Sequence, residues 1–220
     1  MKYDTAQPEL PVFFFDIDNC LYSRSKRVHD MMKVLINKYF REKLDLDTAD
    51  ARSLHETYYK NYGLALEGLV RHHKIDPLEY NAQVDDALPL EDVLHPDPEL
   101  RRLIEDIDRY KVRLWLFTNA YVTHGMRVVK LLGIEDLFDA MQEASITDPS
   151  RCYFVDDSTI NCEAAIRFGW EKTVQKLEPG DPEPTIPVAL HHIRSLEELR
   201  VCFPELFKEK KAGGIKGKFV

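Results

Sequence analysis

The sequence predicts an α/β fold in three layers, a parallel sheet with helices on both faces and a block of helices inserted after the first strand. Two observations carry this. Three short apolar runs, at 12–15, 112–117 (broken only by Arg113) and 152–155, lack the alternation of half-exposed strands, as strands buried on both faces do. Each run then stops abruptly in polar residues: Asp16-Ile17-Asp18-Asn19, Thr118-Asn119 and Asp156-Asp157-Ser158. Ligands of open α/β sheets bind beyond the carboxyl ends of the strands, so these three endings predict one composite site.

Taken in order, the strand at 12–15 leads into an interval, Ser23 to His95, without a convincing strand. Val28, Met31, Met32, Leu35, Ile36, Tyr39 and Phe40 recur at helical spacing and share one face. A second helix is expected from about Thr48 to just before Gly63, a third over 64–73, and a fourth from Asp76 with Pro77 at its first position. Asp97-Pro98 then starts a helix presenting Leu100, Leu103, Ile104 and Ile107, which leads into the strand at 112–117. Helices at 123–132 and 159–168 each close on a glycine, Gly133 and Gly169, where a C-cap is expected. Pro179, Pro182, Pro184 and Pro187 mark an irregular linker before a weaker strand at 188–193. The expected division is a core of 1–22 and 96–207, a helical insertion of 23–95, and a solvated basic tail of 208–220.

Composition narrows the function. At 44% hydrophobic and 31% charged residues the chain is neither low-complexity nor disordered. Its net charge of −8 argues against nucleic acid or an anionic membrane as partner. An anionic ligand therefore needs a metal or a local positive field. Cys20, Cys152, Cys162 and Cys202 form no CxxC pair and read as reduced thiols. No run approaches the roughly 18 apolar residues of a membrane span. Residues 1–10 carry Asp4, Pro8 and Glu9 where an export signal would be basic and then apolar. A cytoplasmic location is expected, with the nucleus also open to the chain, as a monomer or weak dimer.

Asp16 and Asp18, at i and i+2 on a strand end, are close like charges that need a cation to stay ionised together. Mg²⁺ suits such oxygen-rich sites. A carboxylate beside a hard metal can attack phosphorus while a second one shuttles the proton. The Thr118 hydroxyl and nearby amides, with Asn119, can hold an anionic oxygen. Adjacent acids at 156 and 157 would be a poor choice at a buried strand end unless something positive sits there. Asn161, four residues past Asp157, and Ser158 can support the same pocket.

In these strings the sequence resembles the haloacid dehalogenase-like phosphohydrolases, and more closely the fungal pyrimidine 5′-nucleotidases. The carriers are Phe14-Phe15-Asp16-Ile17-Asp18-Asn19-Cys20-Leu21-Tyr22, Leu116-Phe117-Thr118-Asn119-Ala120, and Tyr153-Phe154-Val155-Asp156-Asp157-Ser158 with Asn161. Tyr59-Lys60-Asn61-Tyr62-Gly63 and Glu67-Gly68-Leu69 are similar to the cap of that group. The resemblance spans about residues 10–207 and implies a Rossmann-like core with a helical cap that excludes water. It implies Asp16 as nucleophile and Asp18 as general acid, then base; an acid at 18 favours phosphatase over dehalogenase chemistry. Thr118 and Asn119 would bind the phosphoryl oxygens. Asp16, Asp157 and the Asp18 carbonyl would hold Mg²⁺, with Asp156, Asn161 and Ser158 assisting. The implied substrates are small phosphorylated metabolites, foremost the nucleoside monophosphates UMP and CMP. Another metabolite phosphatase, a phosphoglucomutase-like enzyme, or an impaired relative acting as a binder or scaffold are the alternatives.

One departure stands out. The family carries a lysine between the Thr118 and Asp157 motifs, and here that interval holds only Lys130. Leu137-Phe138-Asp139 runs straight into Ala140-Met141-Gln142-Glu143-Ala144, where relatives have another strand, the lysine loop and most of a helix. The implied core is one edge strand short. Lys130 and Arg151 are the candidates to replace the missing charge. In the insertion, Tyr58, Tyr62, His72 and His73 either face a nucleotide base, or the tyrosines pack the helices together while the histidines sit on a solvated face.

Overall fold

The computed structural model of the chain describes residues 10–139 and 148–209. Its five strands, β1 (Val12–Phe15), β2 (Arg113–Leu116), β3 (Cys152–Asp156), β4 (Lys172–Lys176) and β5 (His191–Ile193), form one sheet in the order β2-β1-β3-β4-β5. All pairings are parallel. Every residue of β1 and β3 is buried, as their unbroken apolar runs require. Alternate side chains serve opposite faces. Phe13 and Phe15 join the main core with Leu114 and Val155, while Val12 and Phe14 pack with Cys152, Phe154 and Trp170.

Helix α5 (Pro98–Glu105) supplies Leu100, Leu103 and Ile104 to the first face, and α6 (Val122–Leu131) supplies Val128 and Val129. Helix α7 (Thr159–Arg167) brings Ala165 to the second, which completes the three layers. Between β1 and α5 lie α1 (Val28–Leu44), α2 (Thr48–Tyr62), α3 (Ala65–His73) and α4 (Pro77–Gln83). They bury a cluster of their own around Tyr39, Phe40, Tyr58, Leu69 and Tyr80. Asp47, Asp76 and Asp97 accept amide hydrogen bonds at the starts of α2, α4 and α5, which is why those helices begin where they do. A short final helix, α8 (Leu199–Cys202), follows β5.

The strand expectations need three corrections. β2 is shorter than 112–117, because Phe117 leaves the ladder half exposed after its amide bonds the Phe15 carbonyl at 2.9 Å. The last strand is shorter than 188–193, since only His191–Ile193 pairs with β4. β4 itself was not expected. Its Lys-Thr-Val-Gln-Lys sequence looks half polar, yet Thr173 Oγ1 donates to the Trp170 carbonyl (2.7 Å), and Gln175 Nε2 donates to Thr159 Oγ1 (2.9 Å) and the Asp157 carbonyl (3.3 Å). Distant partners thus make its polar residues burial-compatible. Among the described residues β2 is an edge strand. Residues 140–144, expected to be a helix remnant, and the tail from 210 lie outside the described residues.

Candidate active site

Sheet register assembles the site. Phe15 lies opposite Leu116 on one side and Val155 on the other, so the first residue past β1 falls between two strand ends. That residue is Asp16, whose amide donates to the Val155 carbonyl at 3.0 Å. The chain leaves β1 for β2 on one flank and then crosses to β3 on the other, which makes β1 the switch point where a crevice opens.

Asp16, Asp156 and Asp157 each offer a carboxylate oxygen, all within 4.8 Å of one another. Asp16 is 6% exposed and Asp156 only 1%. Burial, then the charge of Asp156, pushes the Asp16 carboxyl above the ordinary range, against the Ile17 amide that favours its ionised form. Burial likewise raises Asp156, opposed by the Ser158 amide at 2.7 Å and Asn161 Nδ2 at 2.9 Å. Asp157 is raised by burial and steadied by the charges of Arg24 and Lys176. Three crowded acids, each driven toward protonation, fit a hard divalent cation held through oxygen.

The remaining expected residues divide into those the fold gathers and those it turns away. Asp18 directs its side chain elsewhere: Oδ1 accepts from the Tyr22 hydroxyl at 2.5 Å and meets His124 Nε2 at 2.9 Å. Burial alone would raise its pKa, but the hydrogen bond and charge of His124, with Tyr22, hold it below the usual carboxylate value. The Asp18 carboxylate is thus not among the three acids that cluster. Thr118 follows β2 half-buried, its Oγ1 accepting from the Ala120 amide at 3.1 Å, and Asn119 beside it is exposed. Ser158 caps α7, accepting from the Asn161 amide at 3.4 Å. Ser158 and Asn161 thus act on Asp156 from the start of that helix.

Neither candidate replacement cation lies at the carboxyl edge. Lys130 is exposed in the last turn of α6, about 12 Å along the helix from its start. Arg151 precedes the first residue of β3, roughly 16 Å of extended strand from Asp156. The lysine the fold does bring there is Lys176, the last residue of the unforeseen β4. It is 8% exposed, and its Nζ bonds the Asn19 carbonyl at 2.8 Å and Glu178 at 3.3 Å. Recognising β4 as a strand would have found it, since it stands at a fourth carboxyl end. In the inserted helices, Tyr58 and Tyr62 hydrogen-bond His73 and His72, each at 2.7 Å, so these four residues pair across α2 and α3.

Fold and site define an α/β protein with three acids clustered at the switch point of its sheet. Residues 10–169 match the family model of the haloacid dehalogenase-like hydrolases. Phosphate metabolism protein 8 of Saccharomyces cerevisiae is 35% identical over 216 residues, covering 81% of this chain and 67% of that protein. Among solved structures, the HAD phosphatase from Thermococcus onnurineus superposes with a TM-score of 0.55 at 20% identity, covering 87% of this chain and 97% of that one. The HAD family hydrolase from Deinococcus radiodurans, with bound phosphate and sodium, gives 0.52 at 16% identity and covers 91% and 99%. At these identities the structural likeness establishes the fold. The chain belongs to the haloacid dehalogenase-like hydrolases and is an enzyme of the phosphatase kind. No helix among the described residues is long and apolar enough to cross a membrane.

Proposed function

We propose that the chain is a Mg²⁺-dependent phosphomonoesterase whose preferred substrates are the pyrimidine nucleoside 5′-monophosphates UMP and CMP. The observation that carries the reading is the convergence of Asp16, Asp156 and Asp157 within 4.8 Å at the switch point, with Asp18 two residues beyond the first of them. Residues 1–22 and 96–207 serve as the catalytic core and 23–95 as a cap that excludes water. Phosphate chemistry is supported by the 35% identity to a phosphate metabolism protein, and the substrate preference by the resemblance of the cap strings around Tyr59–Gly63 and Glu67–Leu69.

Asp16, Asp156, Asp157 and the Asp18 carbonyl would hold the cation, which when bound would neutralise the crowded acids and offset the charge of a substrate phosphate. Thr118 and Asn119 orient the phosphoryl oxygens. An Asp16 carboxylate oxygen attacks phosphorus, the bond to the nucleoside oxygen breaks, and Asp18 delivers a proton to that oxygen as it leaves. A water then attacks the aspartyl phosphate, giving its proton to Asp18 and restoring Asp16.

Phosphate release from UMP, CMP, AMP and sugar phosphates tests both parts. Asp16→Asn and EDTA should each abolish release, and turnover that survives in Asp16→Asn overturns the covalent mechanism. Rates on AMP or sugar phosphates equal to those on UMP and CMP overturn the pyrimidine preference and leave a general metabolite phosphatase.

A further inference from the structure

We infer that His124 and Tyr22 are positioning residues that aim Asp18 at the leaving-group oxygen, by occupying one of its carboxylate oxygens and leaving the other for the substrate. The inference rests on the phosphatase chemistry proposed for this site. Both contacts end on the same atom, Oδ1, at 2.5 Å from the Tyr22 hydroxyl and 2.9 Å from His124 Nε2. A carboxylate oxygen has two lone-pair directions, and two donors fill them. Oδ2 is then the oxygen left to exchange a proton with the leaving group. The two anchors come from separate elements, the segment after β1 and the first turn of α6, so together they fix both the position and the rotation of the carboxyl group.

The one hydrogen bond His124 makes among the described residues is the one to Asp18, although the buried Asp85 carboxylate also favours its charge. The ring is fully buried, and its Nδ1 finds no hydrogen-bond partner among the described residues. An unpaired polar atom in the interior costs about 1–3 kcal/mol, which an apolar side chain would avoid. Its bond to Asp18 is what the imidazole supplies in return. The backbone is arranged to permit the reach: at Gly125 an added Cβ would lie 3.0 Å from Ile17 Cδ1, so α6 packs tightly on the loop that carries Asp18.

In the first step the bond from Asp16 to phosphorus forms and the ester bond breaks. The proton moves from Asp18 Oδ2 to the departing oxygen, and the carboxylate left behind keeps its two donors at Oδ1. An aryl ester with a good leaving group needs no such proton. The test is therefore kcat/KM, which reports the first phosphoryl transfer, on UMP or the fastest alkyl ester and on 4-nitrophenyl phosphate. Tyr22→Phe and His124→Leu should lower kcat/KM on the alkyl ester by roughly 100-fold and on the aryl ester by less than about 3-fold. His124→Gln, which restores a donor near the Nε2 position, should recover part of the alkyl activity. Equal losses on both esters, or no loss on the alkyl ester, overturn the inference. Tyr22→Phe removes only a hydroxyl and carries the test alone if His124→Leu does not fold. A wild-type chain that cleaves neither ester overturns the phosphatase reading as well, whereas turnover of both with uniform losses overturns only the positioning role.

Discussion

Lys176 shows how much one buried residue can organise. Its Nζ holds the carbonyl of Asn19, and Asn19 sits in the left-handed region at φ 62°, a conformation asparagine tolerates and the turn after Asp18 needs. The same ammonium pairs with Glu178, which also accepts from the Ser23 hydroxyl at 2.9 Å and the Arg24 amide at 2.7 Å. One lysine thereby ties the loop of acids to the start of the inserted helices and opposes the charge of Asp157. Removing one member of a buried ion pair typically costs 3–5 kcal/mol, so Lys176→Met should destabilise the chain by roughly 3 kcal/mol in denaturant unfolding. Turnover should fall at least about tenfold, the scale of losing one electrostatic contact near the reacting phosphate. A folded Lys176→Met with unchanged rate would remove Lys176 from the site's electrostatics. The lysine was not legible because its strand was not: Thr173 and Gln175 look solvent-facing until their partners on Trp170 and Thr159 are known.

At the scale of elements, the inserted helices depend on a close approach that glycine permits. A Cβ at Gly68 would overlap the Tyr58 ring, so α2 and α3 pack with a backbone of one against an aromatic side chain of the other. Gly68→Ala gains helix propensity of about 1 kcal/mol but must displace that ring, and overpacking of this kind costs typically 1–3 kcal/mol. The net expectation is a lower Tm, with the Tyr58 to His73 bond broken. An unchanged or raised Tm would mean that the ring moves aside freely. The amphipathic pattern of α1 was readable directly, because Ile36, Tyr39 and Phe40 recur at helical spacing and are buried together. The tyrosine and histidine pairing was not, since spacing along a helix says nothing about which neighbour a hydroxyl meets.

At the scale of the molecule, a chain of net charge −8 concentrates three acids at one point and must manage their repulsion. Asp16, Asp156 and Asp157 are all raised in the folded state, so folding favours their protonated forms. Their contribution is fully favourable below the ordinary carboxylate pKa near 3.8 and is lost as pH rises through the raised values. In EDTA the Tm should therefore fall as pH climbs from about 4 through about 6 toward about 9, and the gain in Tm from saturating Mg²⁺ should grow over the same interval. A gain independent of pH would show that the cation does not act through these carboxylates.

What the sequence determined by itself was the arrangement that strand chemistry dictates. Short apolar runs of this length that end in polar residues fit strands covered by helices, and polar groups at their ends gather wherever parallel neighbours end together. Tertiary structure alone decided which groups control those acids. Tyr22 and His124 converge on one oxygen of Asp18, and Lys176 braces its loop, across separations of up to 157 residues along the chain. Hydrogen bonds act over about 3 Å in space, and only the packing of helices on the sheet sets which residues come that close.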